Sequence, residues 1–525
     1  MPVCRPCTYT LPSGFTTLSE EIFNDLIINE HLVLSLRYLL VVLKLILLKN
    51  SELDNKVTSH MRSKIALLGC MVSLAFIPRV YAENILEIYQ DAVENDLVMR
   101  AAKAQLKAGL EAKDQALAAY LPQIGATANY GQNKSKSESS GFPDGSINPS
   151  TFNSSSTTGG QWSLSLGQQI LNMATWYSLQ GSDHQTKQAE YEFFKTQQTL
   201  IVRTVEAYLG VLRAHNNLES SQAEERAVKQ QLDQTQQRFN VGLVAITDVH
   251  EAKAAFDLAK VTRLNDQGAL ETSYEALTVL TGRFYDAVQP LSDNLPISLP
   301  TPEDRKAWTD LAMKGNPDLL IARENTESSK YSAKAARAAR YPTVSLAANY
   351  GRGYTEGEQF QTENIKTSNQ TDSIALQLTI PLWQGGALDS RARQASFRFE
   401  QARENMGSQQ RQVVQQVRSS HIDVLTSIQQ VSARKLSIVS AQSALDATQA
   451  GYNYGTRNIV DVLNAQRTLY QAQRDYGNSR YDYINDLLRL KQSAGVLTPQ
   501  DILALNQWIE QKKQAVRNPG SMAAY

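Results

Sequence analysis

Along most of the chain the apolar positions recur every three or four residues. Ile201, Val205, Tyr208 and Leu212 step by four, three and four, and Val417, Val424, Ile428 and Val431 form a comparable seam. That spacing lines one face of an α-helix. No proline lies between Pro149 and Pro290 or between Pro381 and Pro499. Both stretches are rich in Ala, Gln, Glu, Leu and Arg, which are good helix formers. The pattern predicts a helix of about 68 residues from Met173 to Asn240 and a similar one from Gly385 to Gly451, each near 100 Å at about 1.5 Å per residue.

The period changes to two at four places. Ile124, Ala126, Ala128 and Tyr130 alternate with Gln123, Gly125, Thr127 and Asn129. Val344, Leu346, Ala348 and Tyr350 alternate with Thr343, Ser345, Ala347 and Asn349 in the same way. Leu164, Leu166 and Ile170 oppose Ser163, Ser165, Gly167 and Gln169, and Ile374, Leu376, Leu378 and Ile380 oppose Ser373, Ala375, Gln377 and Thr379. These are four strands of about nine or ten residues, apolar on one side and small or polar on the other, as outer-membrane barrel strands are. The polar stretches Lys134 to Gly160 and Tyr354 to Asp372 read as the loops joining each pair.

The same order of elements is written twice. Pro122-Gln-Ile-Gly-Ala-Thr-Ala-Asn-Tyr-Gly131 matches Pro342-Thr-Val-Ser-Leu-Ala-Ala-Asn-Tyr-Gly351. Phe239-Asn-Val-Gly-Leu-Val-Ala-Ile-Thr-Asp-Val249 matches Tyr452-Asn-Tyr-Gly-Thr-Arg-Asn-Ile-Val-Asp-Val462, with Gly242 over Gly455 and Asp248 over Asp461. The matches divide the chain into repeats at 83–300 and 301–500, joined through the proline-rich segment Gln289 to Pro302 and followed by a tail at 501–525.

Charge and cysteine usage narrow the function. The 525 residues carry 52 basic and 52 acidic side chains, a balance without the footprint of a nucleic-acid binder. Cys4, Cys7 and Cys70 all lie near the start, so later residues hold no disulfide, Cys-ligated zinc or catalytic thiol. Met61-Arg-Ser-Lys64, the apolar run Ile65 to Phe76 and the small residues around Val80-Tyr-Ala82 read as a secretory signal at 61–82, cleaved between Ala82 and Glu83. Residues 1–60 then precede the native start. The apolar run Leu32 to Leu48 is interrupted by Arg37 and Lys44, which argues against a membrane anchor. From Glu83 onward there are 44 basic and 46 acidic groups over 443 residues, a net of −2. No apolar run there is long enough for a spanning helix.

Four strands cannot close a barrel in lipid, since the smallest membrane barrels have about eight. Oligomerisation is therefore expected, with three copies supplying twelve strands and a wider lumen than two. A barrel continued by long helices is a duct. Two other classes compete with this reading. A fibrous coiled-coil adhesin or scaffold predicts unbroken heptads without alternating strands. A barrel enzyme needs a Ser, His and acid cluster, and no phosphate loop or nucleophile elbow is present. His184, His215, His250 and His421 show no metal spacing; His421 reads as a packed residue, and Trp162 and Trp383 as flanks of strands.

Gln231-Leu-Asp-Gln234, Arg238 to Val249, Pro381-Leu-Trp-Gln-Gly-Gly386, Gly451-Tyr452 and Gly455-Thr-Arg-Asn-Ile-Val-Asp-Val462 resemble the TolC family of outer-membrane efflux and secretion channels. The resemblance runs from Glu83 to about Asn506. It implies a homotrimer in the outer membrane, with one twelve-stranded barrel and an α-helical periplasmic tunnel. It also implies a periplasmic mouth opened by an adaptor protein and an inner-membrane pump of RND, ABC or MFS type. No cofactor or metal and no enzymatic step belong to this reading.

The resemblance also assigns residues. Gly242 and Gly455 become tip turns that meet the adaptor, at positions requiring positive φ. Tyr452 would bond Asp248 within a subunit, and Arg457 would contact Thr247 and Asp248 of the neighbour. Asp461 would face the lumen in an acidic ring. Here the chain departs from the family pattern, having Asn464 where a second acid is expected.

Overall fold

The computed structural model describes residues 82–139, 151–292, 294–359, 362–510, 513 and 515–517. The expected upstream segment 1–60, residues 61–81 of the signal and all three cysteines lie outside them, as do residues 518–525 of the tail. The first repeat runs α1 (Ile85–Asn95), α2 (Leu97–Ala118), β1 (Gln123–Ser139), β2 (Thr151–Leu171), α3 (Met173–Asn240) and α4 (Ile246–Thr281). After the short strand β3 (Ala287–Val288) the order repeats. It runs α5 (Arg305–Gly315), α6 (Pro317–Ala338), β4 (Thr343–Gln359), β5 (Thr362–Thr379), α7 (Ala387–Asn453) and α8 (Ile459–Ser493). Then α9 (Pro499–Asn506) and β6 (Ala515–Val516) close the chain.

The helices form where the 3.6 period runs and stop at caps. Asn172 ends β2 and accepts from the amides of Ala174 and Thr175, opening the 68-residue α3. Asn316 serves α6 in the same way, accepting from Leu319, with Pro317 in the first turn. Such caps satisfy amides that have no partner inside the helix. The expected seams are buried: Val205, Tyr208 and Leu212 of α3 share a core with Val417, Val424 and Val431 of α7 and with Ile484 and Leu488 of α8. No described helix is long and apolar enough to cross a membrane.

The strands pair in the order β1-β2-β4-β5, all antiparallel. Their register puts Ile124, Leu166, Ala348 and Ile374 in one row, and Ala128, Trp162, Arg352 and Gln370 in another. The apolar positions thus share one face. Trp162 packs its ring 5.5 Å from that of Tyr350, whereas Trp383, just past β5, is 67% exposed. Nothing described pairs with the outer edges of β1 and β5.

The expected strand lengths need correction. The four strands hold 17, 21, 17 and 18 residues, and most of the Ser, Thr and Asn stretches expected to be loops continue the ladder. Glycines within them mark close backbone approach. A Cβ on Gly159 would collide with the carbonyl of Tyr354, and one on Gly357 with that of Ser156. A polar strand with a partner on each side keeps its hydrogen bonds whatever its composition.

A second, small sheet ties the middle of the chain to its ends. β3 pairs antiparallel with β6, Val288 opposite Ala515, and Glu83 bridges Val288 on the other side. The proline-rich join is packed: the Tyr483 hydroxyl donates to Ser298 O at 2.9 Å, and Trp308 Nε1 to Pro302 O at 2.6 Å. Gly495, with φ +72°, lies against the backbone of Gly315, while Gly242, with φ +77°, has open space around it. Gly242→Ala should cost roughly 1–2 kcal/mol, the left-handed penalty alone. Gly495→Ala adds a backbone clash, so thermal unfolding should show the larger loss of melting temperature there.

Candidate functional site at the helical tips

The two long helices of the chain reverse at matched glycines. At the end of α3 the amide of Gly242 donates to Phe239 O at 2.9 Å and that of Leu243 to Arg238 O at 2.9 Å. At the end of α7 the amide of Gly455 donates to Tyr452 O at 3.1 Å and that of Thr456 to Gly451 O at 2.9 Å. Gly242 and Gly455 have φ of +77° and +78°, the left-handed conformation that ends a helix with its last carbonyls satisfied. After five residues in each case α4 and α8 run back, α8 capped by Asn458, whose side chain accepts from the Asp461 amide at 2.8 Å.

The four helix ends share one apolar cluster: Val228 from α3, Ala252 from α4, Tyr452 from α7, and Ile459, Val462 and Leu463 from α8. This cluster holds the two reversals together. It also decides the state of Tyr452, which is 7% exposed. The Arg238 guanidinium sits over the Tyr452 ring, 4.9 Å from its centre, a cation–π contact. The Tyr452 hydroxyl is buried without a hydrogen-bond partner. The bond from Tyr452 to Asp248 implied by the resemblance is therefore not made within this protomer. Packing has drawn the ring into the cluster, while Asp248 stands half-exposed in the first turn of α4.

The other expected gate residues lie at the surface. Thr247 is exposed, and its hydroxyl lies 3.5 Å from Asp248 Oδ1. Arg457 reaches Asp461 Oδ2 of its own helix turn at 3.7 Å, with side chains 62% and 36% exposed. An exposed pair of that kind contributes about 0–1 kcal/mol. Asn464 is exposed one turn beyond Asp461. The structure thus brings Arg457 to Asp461 and leaves Thr247 and Asp248 on the partner reversal. Arg238 was not singled out as a site residue from sequence, although it opens the segment that matched at the first turn.

Elsewhere, His184 and His421 are held by contacts within the fold. His421 is buried and its Nε2 lies 3.1 Å from Glu303 O, as expected for a packed residue. His184 Nδ1 lies 2.6 Å from Glu324 and its ring stacks on Tyr331. Burial lowers the pKa of His215. Among the described residues no three His, Cys, Asp or Glu side chains converge as a metal site would require.

The chain is mainly helical, with two matched helix reversals and a four-stranded antiparallel sheet, and comparison with known proteins decides the family. The model of outer membrane efflux proteins matches residues 88–283 and 308–496. The chain belongs to the outer membrane efflux protein family. It is 36% identical over 435 residues to the outer membrane protein TolC of Vibrio cholerae, covering 83% of this chain and 96% of that protein. It is 27% identical over 424 residues to the alkaline protease secretion protein AprF of Pseudomonas aeruginosa, covering 80% and 86%. Among solved structures, the outer membrane protein VceC of Vibrio cholerae aligns with a TM-score of 0.62 at 20% identity over 78% of this chain and 96% of that one. That likeness shows the shared fold: a helical tunnel joined to an outer-membrane barrel. Nothing in the comparisons supports an adhesin or scaffold.

Because the Tyr452 hydroxyl is buried without a partner, Tyr452→Phe should leave the unfolding free energy unchanged or raise it, by up to about 1–3 kcal/mol. Tyr452→Ala should cost about 3–5 kcal/mol through the lost ring. Chemical denaturation of the purified protein distinguishes the two. A large loss in the phenylalanine variant would mean the hydroxyl is bonded.

Proposed function

We propose that three copies of this chain form a passive exit duct through the outer membrane for drugs or proteins, closed at its periplasmic mouth until an adaptor and an inner-membrane pump engage it. The observation that carries this reading is the two-sided sheet, whose outer edges pair with nothing among the described residues. In lipid such edges must be covered, and three copies complete a barrel of twelve strands. The polar face, with Gln123, Thr127, Asn129, Ser163 and Asn349, then lines water, and the face with Ile124, Leu164, Leu166 and Ile374 meets lipid. Relatives that are efflux proteins and protease secretion proteins support both classes of cargo.

The same symmetry brings three tips together. Exposed Leu258, Val261 and Leu264 on α4 and Leu436 and Val439 on α7 supply apolar faces for packing between neighbouring helices. Arg457 exchanges Asp461 of its own chain for Thr247 and Asp248 of the neighbour when the mouth closes. A charge-assisted bond is worth about 1.5–3 kcal/mol, so a few hold the mouth shut and still yield to a partner that binds only the open form. Gly242 and Gly455 present the turns on which an adaptor would seat. Asp461 forms one ring of three carboxylates around the axis, which favours cations, and Asn464 withholds a second ring. The leader is removed between Ala82 and Glu83 during export.

In planar bilayers the purified trimer should conduct in a low, closed state, and Arg457→Ser should raise the conductance. A folded trimer without channel activity would overturn the duct. Asn464→Asp should lower the inhibition constant for a trivalent cation, and an unchanged constant would remove the single-ring account.

A further inference from the structure

The small sheet around β3 carries charge unevenly at its two edges. On the β6 side a cation is built in. Arg517 reaches Glu271 and Glu275 of α4 at 2.7 Å each, its amide donates to Asp286 O at 2.7 Å, and the Tyr274 hydroxyl donates to Ala515 O at 2.7 Å. On the opposite edge Glu83 lies alongside Val288, its amide donating to Ala287 O at 3.3 Å and its carbonyl accepting from Gln289 at 3.1 Å.

Four acids meet at that edge. Glu83, Glu87 and Asp91 come from the start of the chain and α1, and Asp286 from the segment entering β3; the cation facing Glu83 among them is Arg283. Asp91 engages Arg283 through both oxygens, at 2.7 and 2.8 Å, and also accepts from the Tyr285 hydroxyl at 2.9 Å. Glu87 accepts from the Asn84 amide at 2.9 Å. Among the described residues acting on the Glu83 carboxyl, Arg283 is the one cation beside Asp91, Glu87 and Asp286.

We propose that cleavage between Ala82 and Glu83 supplies the missing charge, the freed α-ammonium of Glu83 becoming a fixed structural cation that pins the mature N-terminus to the β3 edge. The step is hydrolysis by an export endopeptidase. Water breaks the Ala82–Glu83 amide, Ala82 leaves with a new carboxylate on the removed segment, and the Glu83 nitrogen takes a proton. In the folded chain the Glu83 nitrogen donates to Ala287 O at 3.3 Å, so an ammonium at that atom keeps this bond once the cut chain has folded. This inference rests on the export reading given above, and adds to it what the new terminus does.

The sign of the effect follows from the Glu83 carboxyl. In the uncut chain burial raises its pKa to about 7, with Arg283 opposing and Asp91, Glu87 and Asp286 adding to the rise. An acid raised in the folded state loses stability as pH climbs from its ordinary value to the raised one. An adjacent ammonium brings that carboxyl down and removes the loss, and the carboxyls in turn raise the pKa of the amine.

The test uses the mature trimer purified from outer membranes. Intact mass should show a chain beginning at Glu83; a different first residue would overturn the proposal even if channel activity is intact. Competitive labelling of the α-amine across pH should place its pKa above the ordinary value of about 7.7–8.0. Acetylating the α-amine at mildly acidic pH should lower the melting temperature at neutral pH by about 2–4 °C. The drop should be less than half as large in Glu83→Gln. An amine that titrates as in the denatured chain, or an acetylated trimer that melts unchanged, would refute it.

Discussion

A β-sheet placed in lipid has to close, because a backbone amide or carbonyl left without a partner there costs several kcal/mol. This protomer has a sheet of four strands with nothing described against the outer edges of β1 and β5, so its membrane part is incomplete alone. The remaining architecture follows from that constraint. Two repeats each contribute a hairpin, the hairpins join through β2 and β4, and every strand hands its direction to a helix. Asn172 shows how one hand-over is made: its side chain caps α3 while its carbonyl accepts from the Tyr120 hydroxyl at 2.8 Å.

Helices nearly seventy residues long lead away from the sheet to the tips, where Gly242 and Gly455 turn each pair. The tip cluster around Tyr452 makes the two reversals one packed unit. Apolar packing is strong and non-directional there, while the ionic contacts at Arg457 and Asp461 are exposed and weak.

The fold was largely legible because the information is periodic. The seams at Val205 and Val417, the alternation at Ile124 and Val344, and the doubled glycine turns are local patterns, and the structure bears them out. What could not be read depends on partners distant in sequence. Strand length was misjudged because Gly159 and Gly357 look like loop residues until the strands beside them are known. The packing of Tyr452 under Arg238 joins residues more than two hundred positions apart. So does the clamp of Arg517 on Glu271 and Glu275. Of the site, the turns were visible as repeats, whereas the roles assigned to Thr247, Asp248, Arg457 and Asp461 came from resemblance.

The central claim is that the open edges of β1 and β5 meet between three copies. The three cysteines precede Glu83, so the exported chain offers a thiol-free background. Single cysteines placed along Gln123–Gly131 of β1 and along Ser373–Thr379 of β5 in the same chain, oxidised in intact outer membranes, read the junction directly. Neighbouring edges predict a covalent ladder that ends at three chains, with the productive pairs defining one antiparallel register. A ladder ending at two, or monomers at every pair of positions, would contradict it.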